Sequence, residues 1–308
     1  MNNKPTFQEV ALHWLEQKRP YVKTSTASLY YLHLSTHLIP AFGALPSLTE
    51  EQVQAWVDGT LAGGLSPKTV KDILLVLKMV LRFGQKQRVW EALPLDIHFP
   101  TQRENDRPSV LSVVQQRKLM TYLRTHPSTF HLGLTLCLGT GLRIGELCAL
   151  TWADLDLSEG VVRVSKTLQR IYLVNARERS TRLMLDSPKT PQSQRLIPLT
   201  RDLLAQLRPE KAAHKPGDYL LTGKPLPMEP RACRRRFQSL LKRLGMPPLR
   251  FHGLRHSFAT RCIESDCDIK TVSSLLGHAN VGTTLHYYVH PDLVHQKKCV
   301  EKMSRYLK

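Results

Sequence analysis

The sequence lacks the long apolar runs that membrane insertion and export require. No stretch of its 308 residues approaches the roughly 18 uncharged apolar residues of a membrane-spanning helix. The first ten residues, MNNKPTFQEV, contain no apolar signal core. Cysteine is also scarce, with six residues and no Cys-x-x-Cys pair, which indicates reduced thiols rather than a disulfide framework. We therefore expect a cytoplasmic protein with no membrane partner.

Acidic residues are few relative to basic ones, and the imbalance is uneven. The chain holds 25 acidic and 44 basic residues, which give a net charge of +19. The first 100 residues contain 10 basic and 8 acidic residues, so nearly all of the excess lies in the remaining 208. A basic excess of this kind favours a polyanionic partner. Nucleic acid is favoured over anionic lipid because no basic amphipathic helix with an aromatic face is evident.

Helical patterns dominate the first hundred residues. The apolar spacing predicts one helix from Phe7 to Gln17 and another from Ser25 to Leu38. Thr49 opens a third helix with a capping-box pattern, and Ser66 is a good N-cap before the proline that begins a fourth. These segments predict an N-terminal helical bundle.

The composition changes after the bundle. Residues 101–108 are polar and end at Pro108, as is typical of a linker. Beyond them helical patterns return, and only residues 160–200 contain short runs that read as strands. The sequence therefore predicts a mainly α fold with a small antiparallel β-sheet. Its expected parts are a helical domain (1–100), a linker (101–108) and a mixed α/β domain (109–308).

The second domain contains several side chains that could act on an anion. Arg143 follows a glycine turn in the segment TGLRIGEL. His252 and Arg255 are three residues apart in HGLRH and would share a helix face, where an imidazole beside a guanidinium suits a phosphate oxygen or a proton in transit. His278 precedes Tyr287 by nine residues in the segment GHANVGTTLHYY.

A lysine and several alternatives complete the candidate set. Lys189 lies in a turn between two prolines and could deliver a proton to a leaving oxygen. Lys166 is a rival of Lys189 as the proton donor. Tyr288 adjoins Tyr287 and is its rival as a nucleophile. The spacing of His252 and His256 also suits a metal, but no third ligand is evident. Each of these residues taken alone has an ordinary structural explanation, such as a surface ion pair or a buried aromatic.

The order of these residues along the chain resembles the tyrosine recombinase (phage-type integrase) family. The resemblance rests on an arginine, a lysine in a turn, H-x-x-R-H, L-L-G-H-A and T-T-x-x-Y, and it covers essentially the whole chain. By this resemblance residues 1–100 correspond to a core-binding domain that contacts DNA, and residues 109–308 correspond to a catalytic domain with a C-terminal tail.

The resemblance also implies a reaction and a role for each residue. Arg143 and Arg255 would bind the non-bridging oxygens of the scissile phosphate, and Tyr287 would attack phosphorus to form a 3′-phosphotyrosyl link. Lys189 would protonate the leaving 5′ oxygen, His252 would act on the tyrosine proton, and His278 would hydrogen-bond the phosphate. Glu146 would orient Arg143 or its helix and take no part in the chemistry. Neither a metal nor another cofactor would be required.

The family further implies a site-specific recombinase that works through a Holliday junction. Its partners would be double-stranded DNA with short inverted core sites and three further copies of the chain in a synaptic homotetramer, located at the bacterial nucleoid. The chain begins about six residues before its first helix, so we expect no additional arm-site-binding domain. The implied biology is integration or excision of a mobile element, or inversion of a DNA segment.

Three other functions compete with this interpretation. A DNA-binding regulator with a decayed site would not be expected to retain all six candidate residues. A type IB topoisomerase shares the chemistry but would relax supercoils without a partner site. A zinc hydrolase built on the histidines would contain stoichiometric metal.

Overall fold

The computed structural model describes residues 4–100, 109–174, 181–187, 194–288 and 293–307, with the backbone alone for 286–288, 293–296, 298 and 299. The chain divides into two compact units. The first comprises residues 1–104 together with 170–182, and the second comprises residues 105–169 together with 183–308. The predicted mainly α fold with small antiparallel sheets is confirmed.

The first unit is a bundle of helices. They are α1 (Phe7–Lys18), α2 (Thr24–His33), α3 (Ile39–Phe42), α4 (Glu50–Ala62) and α5 (Pro67–Lys86). The predicted caps are confirmed, because the Thr49 hydroxyl accepts from the Gln52 amide and the Ser66 hydroxyl accepts from the Thr69 amide. Helix α5 buries one apolar stripe in the bundle core, and that stripe includes Ile73.

One helix prediction in this unit was too simple. The helix predicted to run to Leu38 ends at His33, and residues Leu34–Leu38 form a π-helical turn. The Ile39 amide donates to the carbonyl of Leu34, five residues back. The following Pro40 has no amide hydrogen with which to continue a regular ladder.

A segment from the middle of the chain packs with this bundle. Residues 170–182 belong to the first unit, although both sequence neighbours belong to the second. The Tyr172 amide donates to the Oγ of Ser28 at 2.8 Å, and Ser28 is buried. This contact anchors part of a β-hairpin on helix α2.

The second unit surrounds helix α7, which is buried on nearly all sides. The helices of this unit are α6 (Val113–Thr125), α7 (Thr129–Thr140), α8 (Ile144–Ala149), α9 (Arg201–Ala213), α10 (Pro230–Arg243), α11 (His252–Glu264), α12 (Ile269–Leu276), α13 (Val281–Tyr288) and α14 (Leu293–Tyr306). None of the described helices in the chain is long and apolar enough to cross a membrane.

In the part of the chain that the structure describes, five strands form two small antiparallel sheets. The strands are β1 (Leu155–Asp156), β2 (Val161–Val164), β3 (Thr167–Tyr172), β4 (Thr181–Asp186) and β5 (Arg195–Pro198). Strand β2 lies between β1 and β5, with Val162 opposite Ile197, while β3 pairs with β4. The strands that precede and follow Lys189, β4 and β5, do not pair with each other among the described residues, because β5 pairs with β2. Lys189 itself lies outside the described residues.

Candidate active site

Arg143 is held at the turn between α7 and α8. Gly141 ends α7 in the left-handed conformation, with a φ of +66°, and a Cβ atom there would lie 2.6 Å from the Phe258 ring. The chain then extends, and Arg143 precedes the first residue of α8. The Arg143 side chain is 35% exposed, so its guanidinium remains accessible to a ligand.

Arg255 approaches the same place from helix α11 and is almost fully buried. Its Nη1 donates to the carbonyl of Gly141 at 2.9 Å, and its Nη2 donates to the carbonyl of Leu276 at 2.7 Å. The Arg143 Nη2 donates to the next carbonyl, that of Gly277, at 3.2 Å. Both arginines are therefore fixed by the C-terminus of α12, whose carbonyls carry partial negative charge.

His278 is placed by the way α12 ends. Gly277 adopts a left-handed φ of +64°, and the His278 amide donates to the carbonyl of Ser273 at 3.0 Å, which completes a Schellman motif. The Nδ1 of His278 lies 2.8 Å from the hydroxyl of Thr284, a buried residue of α13. Tyr287 follows Thr284 by three residues on this helix. His278 is thus hydrogen-bonded to the helix that carries the predicted nucleophile.

The two candidate histidines are held in their neutral form. Burial lowers the pKa of His252 to about 4, with the nearby charges of Arg255 and Arg143 contributing. Burial and the same two arginines also lower the pKa of His278 to about 4. The site therefore combines fixed cations with imidazoles that are neutral near pH 7, an arrangement suited to binding an anion.

A buried carboxylate links Arg143 to a residue that the sequence analysis did not single out. Glu146 accepts from Arg143 Nη1 at 2.8 Å and from Arg195 Nη2 at 2.9 Å. Burial acts to raise the pKa of Glu146, but the hydrogen bond and charge of Arg195, with the charge of Arg143, outweigh it, and the pKa lies below its usual value. Arg195 was not predicted because it lies 49 residues from Glu146, and no local pattern marks that pairing.

The structure brings together four of the six predicted site residues: Arg143, His252, Arg255 and His278. Tyr287 and its rival Tyr288 lie at the end of α13, among residues 286–288, for which only the backbone is described. Lys166, the rival of Lys189, is paired with Asp154 at 3.1 Å. The catalytic roles of all six residues remain predictions.

His252 and His256 contact each other on helix α11. Their rings meet edge to face, with centroids 4.5 Å apart. Within residues 4–100, 109–174, 181–187, 194–288 and 293–307, as far as side chains are described, no three His, Cys, Asp or Glu residues cluster as metal ligands would.

Lowering the pH from 7 to 5 should reduce the stability of the free protein. His252, His256 and His278 each have a pKa of about 4 in the folded protein and an ordinary value of 6.5 when exposed. Between these values the unfolded chain binds protons that the folded chain does not, so the free energy of unfolding falls as the pH falls. We expect a lower urea midpoint at pH 5 than at pH 7, and a smaller difference in the His256→Gln variant. An unchanged midpoint would contradict this prediction.

A basic surface occupies helix α10 and the segment after it. Its exposed members are Arg231, Arg234, Arg235, Arg236, Lys242, Arg243 and Arg250. Phe237 and Leu241 on the opposite face of α10 are buried in the core. The apolar face fixes the helix, so its cations are presented together to solvent, as a surface for polyanions requires.

Two protein-family profiles match the chain. The profile of the phage integrase family matches residues 109–295, and the profile of the N-terminal SAM-like domain of phage integrases matches residues 6–61. Among curated proteins, the chain is 24% identical to a "Tyrosine recombinase XerC-like" protein of Caldanaerobacter subterraneus subsp. tengcongensis, over 99% of this chain and 79% of the relative.

Solved structures of similar fold include two integrases. The Tn1549 transposon integrase, in complex with a circular intermediate DNA, superposes with a TM-score of 0.78 at 22% identity, over 97% of this chain and 99% of that one. A lambda integrase tetramer bound to a Holliday junction superposes with a TM-score of 0.68 at 19% identity, over 94% of this chain and 78% of that one. At these identities the likeness concerns the fold.

Proposed function

The chain belongs to the phage integrase family of tyrosine recombinases, and on this premise we propose how its own residues cut and rejoin DNA. The product of cleavage is a 3′-phosphotyrosyl link to Tyr287 and a free 5′-hydroxyl. Attack by a 5′-hydroxyl of another strand reverses the step and exchanges strands. Two such rounds pass through a Holliday junction and yield recombinant DNA without ATP or a metal.

The observation that carries this proposal is the meeting of Arg143, Arg255, His252 and His278 at the end of α12. The two guanidiniums bind the non-bridging oxygens of the scissile phosphate. They stabilise the extra negative charge that develops when phosphorus becomes pentacoordinate. Because hydrogen bonds to backbone carbonyls already fix both arginines, little reorganisation is needed at the moment of reaction.

The two neutral histidines have different roles, one as a proton acceptor and the other as a hydrogen-bond donor. His252 accepts the proton of the attacking Tyr287 hydroxyl, which a neutral imidazole can do and a protonated one cannot. We assign His278 the neutral tautomer with its hydrogen on Nε2, which it donates to the phosphate, and in that tautomer Nδ1, 2.8 Å from the Thr284 hydroxyl, accepts from it. Lys189 delivers a proton to the leaving 5′ oxygen.

DNA binding must also open the site. Arg255 is 1% exposed in the free protein, so a phosphate cannot reach its guanidinium until part of the surrounding structure moves. Arg143, which is 35% exposed, can meet the phosphate first. We propose that the free protein holds a preformed but covered site and that DNA uncovers it.

The partners follow from the charge distribution and from the relatives. We propose that residues 1–100 form a core-binding domain and that residues 109–308 form the catalytic domain, which presents the basic surface of α10 to DNA. We further propose that the DNA carries short inverted core sites and that the chain acts at the nucleoid. The lambda integrase tetramer on a Holliday junction supports a homotetramer at synapsis. The transposon relative favours integration or excision of a mobile element as the biological task.

Covalent capture tests the proposed function and finds the DNA site in the same experiment. Fragmented genomic DNA of the source organism, carrying nicks, would be mixed with the protein in the absence of metal and nucleotide. Denaturant-resistant protein–DNA adducts would then be isolated and their DNA sequenced. We expect adducts enriched in one inverted sequence, located at the ends or the junction of a mobile element.

Two results of this experiment would favour a different function. Tight DNA binding without any adduct would contradict catalysis by this chain and favour a DNA-binding regulator. Adducts scattered over unrelated sequences, with relaxation of supercoiled DNA, would favour a topoisomerase.

A further inference from the structure

The C-terminus of α12 presents three consecutive carbonyl groups to three different arginines. The pairs are Arg195 Nε with Leu275 O at 2.6 Å, Arg255 Nη2 with Leu276 O at 2.7 Å, and Arg143 Nη2 with Gly277 O at 3.2 Å. Two of these arginines are assigned above to the phosphate. Arg195 has no role in that scheme, and its side chain is only 6% exposed.

Arg195 and Arg143 share the carboxylate of Glu146. Oε1 accepts from Arg143 Nη1 at 2.8 Å and from Arg195 Nη1 at 3.1 Å. Oε2 accepts from the Arg143 amide and from Arg195 Nη2, both at 2.9 Å. The Arg195 guanidinium therefore donates to both oxygens of Glu146, whereas the Arg143 guanidinium donates to only one of them.

This division matters because Arg143 is the accessible member of the group. A guanidinium forms its strongest carboxylate pair when two parallel N–H groups meet both oxygens. Arg195 occupies that bidentate arrangement and leaves Arg143 attached to Glu146 by a single guanidinium nitrogen. The remaining donors of Arg143 are then not drawn onto the carboxylate.

The charge of the group depends on Arg195 as well. Glu146 between two guanidiniums makes a cluster of net charge +1, since arginine stays protonated in proteins. Without Arg195 the remaining pair of Arg143 and Glu146 would be neutral. A neutral pair would attract a phosphate less strongly, and a half-satisfied buried carboxylate would compete with that phosphate for Arg143.

We propose that Arg195 is a positioning residue for phosphate activation: by holding both oxygens of Glu146 and the end of α12, it keeps Arg143 charged and oriented toward the scissile phosphate. It acts through Glu146 and does not touch DNA. This inference rests on the proposed function. It adds a residue whose loss should affect the reaction of a charged phosphate in particular.

The test compares a charged and an uncharged scissile phosphate. Nicked duplexes would carry a DNA sequence recovered by the covalent-capture experiment, with either an ordinary phosphate or a methylphosphonate at the cleavage position. The variants are Arg195→Met, Arg195→Lys and Arg143→Met. The control is Arg261→Met, which breaks a different Arg–Glu pair, that of Arg261 with Glu264 on α11. The measurements are the single-turnover rate of adduct formation, the Kd for DNA and the thermal unfolding midpoint.

We expect Arg195→Met to slow adduct formation on the ordinary phosphate by roughly 100-fold, with DNA affinity changed less than about threefold. On the methylphosphonate, which lacks the charge that Arg143 neutralises, the loss should shrink at least roughly tenfold, as it should for Arg143→Met. The rate of Arg195→Lys should fall between those of the wild type and Arg195→Met, because lysine keeps the charge but cannot form the bidentate pair with Glu146. Arg261→Met should match the wild type on both substrates.

Equal losses on the two substrates would overturn the inference and leave Arg195 a purely structural residue, and so would a folded Arg195→Met variant of normal rate. If Arg195→Met fails to fold, the comparison of substrates in Arg195→Lys decides between the same two outcomes. Absence of an adduct with the wild-type protein on either substrate would instead refute the proposed function, and this inference with it.

Discussion

Replacing Tyr287 with phenylalanine should abolish formation of the covalent protein–DNA adduct, a loss of at least roughly 10⁴-fold. Phenylalanine lacks the oxygen that forms the phosphotyrosyl bond but keeps the aromatic ring, so the change removes the nucleophile with little change of shape. The measurement is denaturing electrophoresis of the protein with a nicked duplex that carries a captured site. DNA binding, followed in parallel by gel shift, should persist.

The neighbouring tyrosine provides the matched control. Tyr288→Phe makes the same chemical change one residue further along α13, and we expect it to retain adduct formation within about tenfold of the wild type. Loss of the adduct in Tyr288→Phe with retention in Tyr287→Phe would move the nucleophile by one residue. Retention in both variants would contradict catalysis by a tyrosine of this helix.

Replacing Arg255 with lysine should slow cleavage by roughly 10²- to 10³-fold, the usual cost of losing a preorganised donor to developing charge. Lysine retains the charge, but its single ammonium cannot donate to Gly141 and Leu276 in the planar geometry of the guanidinium. The phosphate contact is then no longer fixed. The measurement is the single-turnover rate of adduct formation at saturating DNA.

Arg261→Lys is the control for this second prediction. Arg261 lies six residues further along α11 and pairs with Glu264 at 3.0 Å. We expect its substitution to change the rate less than about threefold. A thermal unfolding midpoint recorded for each variant separates a catalytic loss from a folding defect. An Arg255→Lys variant that is folded and of nearly normal rate would contradict the assigned role of Arg255.

Local features of the fold could be predicted where neighbouring residues determine them. The helix starts at Thr49 and Ser66 followed from side chains that cap amides three residues on, and both of these caps are present. The shared helix of His252 and Arg255 followed in the same way from their spacing. Such contacts do not depend on the rest of the chain.

Features that depend on distant segments could not be predicted. Strand β5 pairs with β2 instead of β4 because the choice of partner is made in the folded sheet, and the packing of residues 170–182 with the first unit has no local signal either. The role of Arg195 is a further case. Its contacts with Glu146 and Leu275 span 49 and 80 residues, and they exist only because β5 and α12 meet in the folded unit.

The candidate site itself was predictable in part. The order of charged and aromatic residues identified Arg143, Arg255, His252 and His278, and the structure brings these four together. The sequence could not have indicated that burial and the arginines hold both histidines neutral, with pKa values of about 4. Lys189 and the side chain of Tyr287 lie outside what the structure describes, so their roles rest on the sequence.

The most direct test of the account is to identify the amino acid that becomes joined to DNA. The wild-type adduct on a captured site would be digested with nuclease and trypsin and analysed by mass spectrometry. Trypsin cleavage after Lys270 and Lys297 releases the peptide of residues 271–297, which contains both tyrosines. We expect this peptide with a nucleotide attached through its 3′-phosphate, and fragment ions that place the phosphate on Tyr287. A phosphate on any other residue, or one joined to a 5′ end, would contradict it.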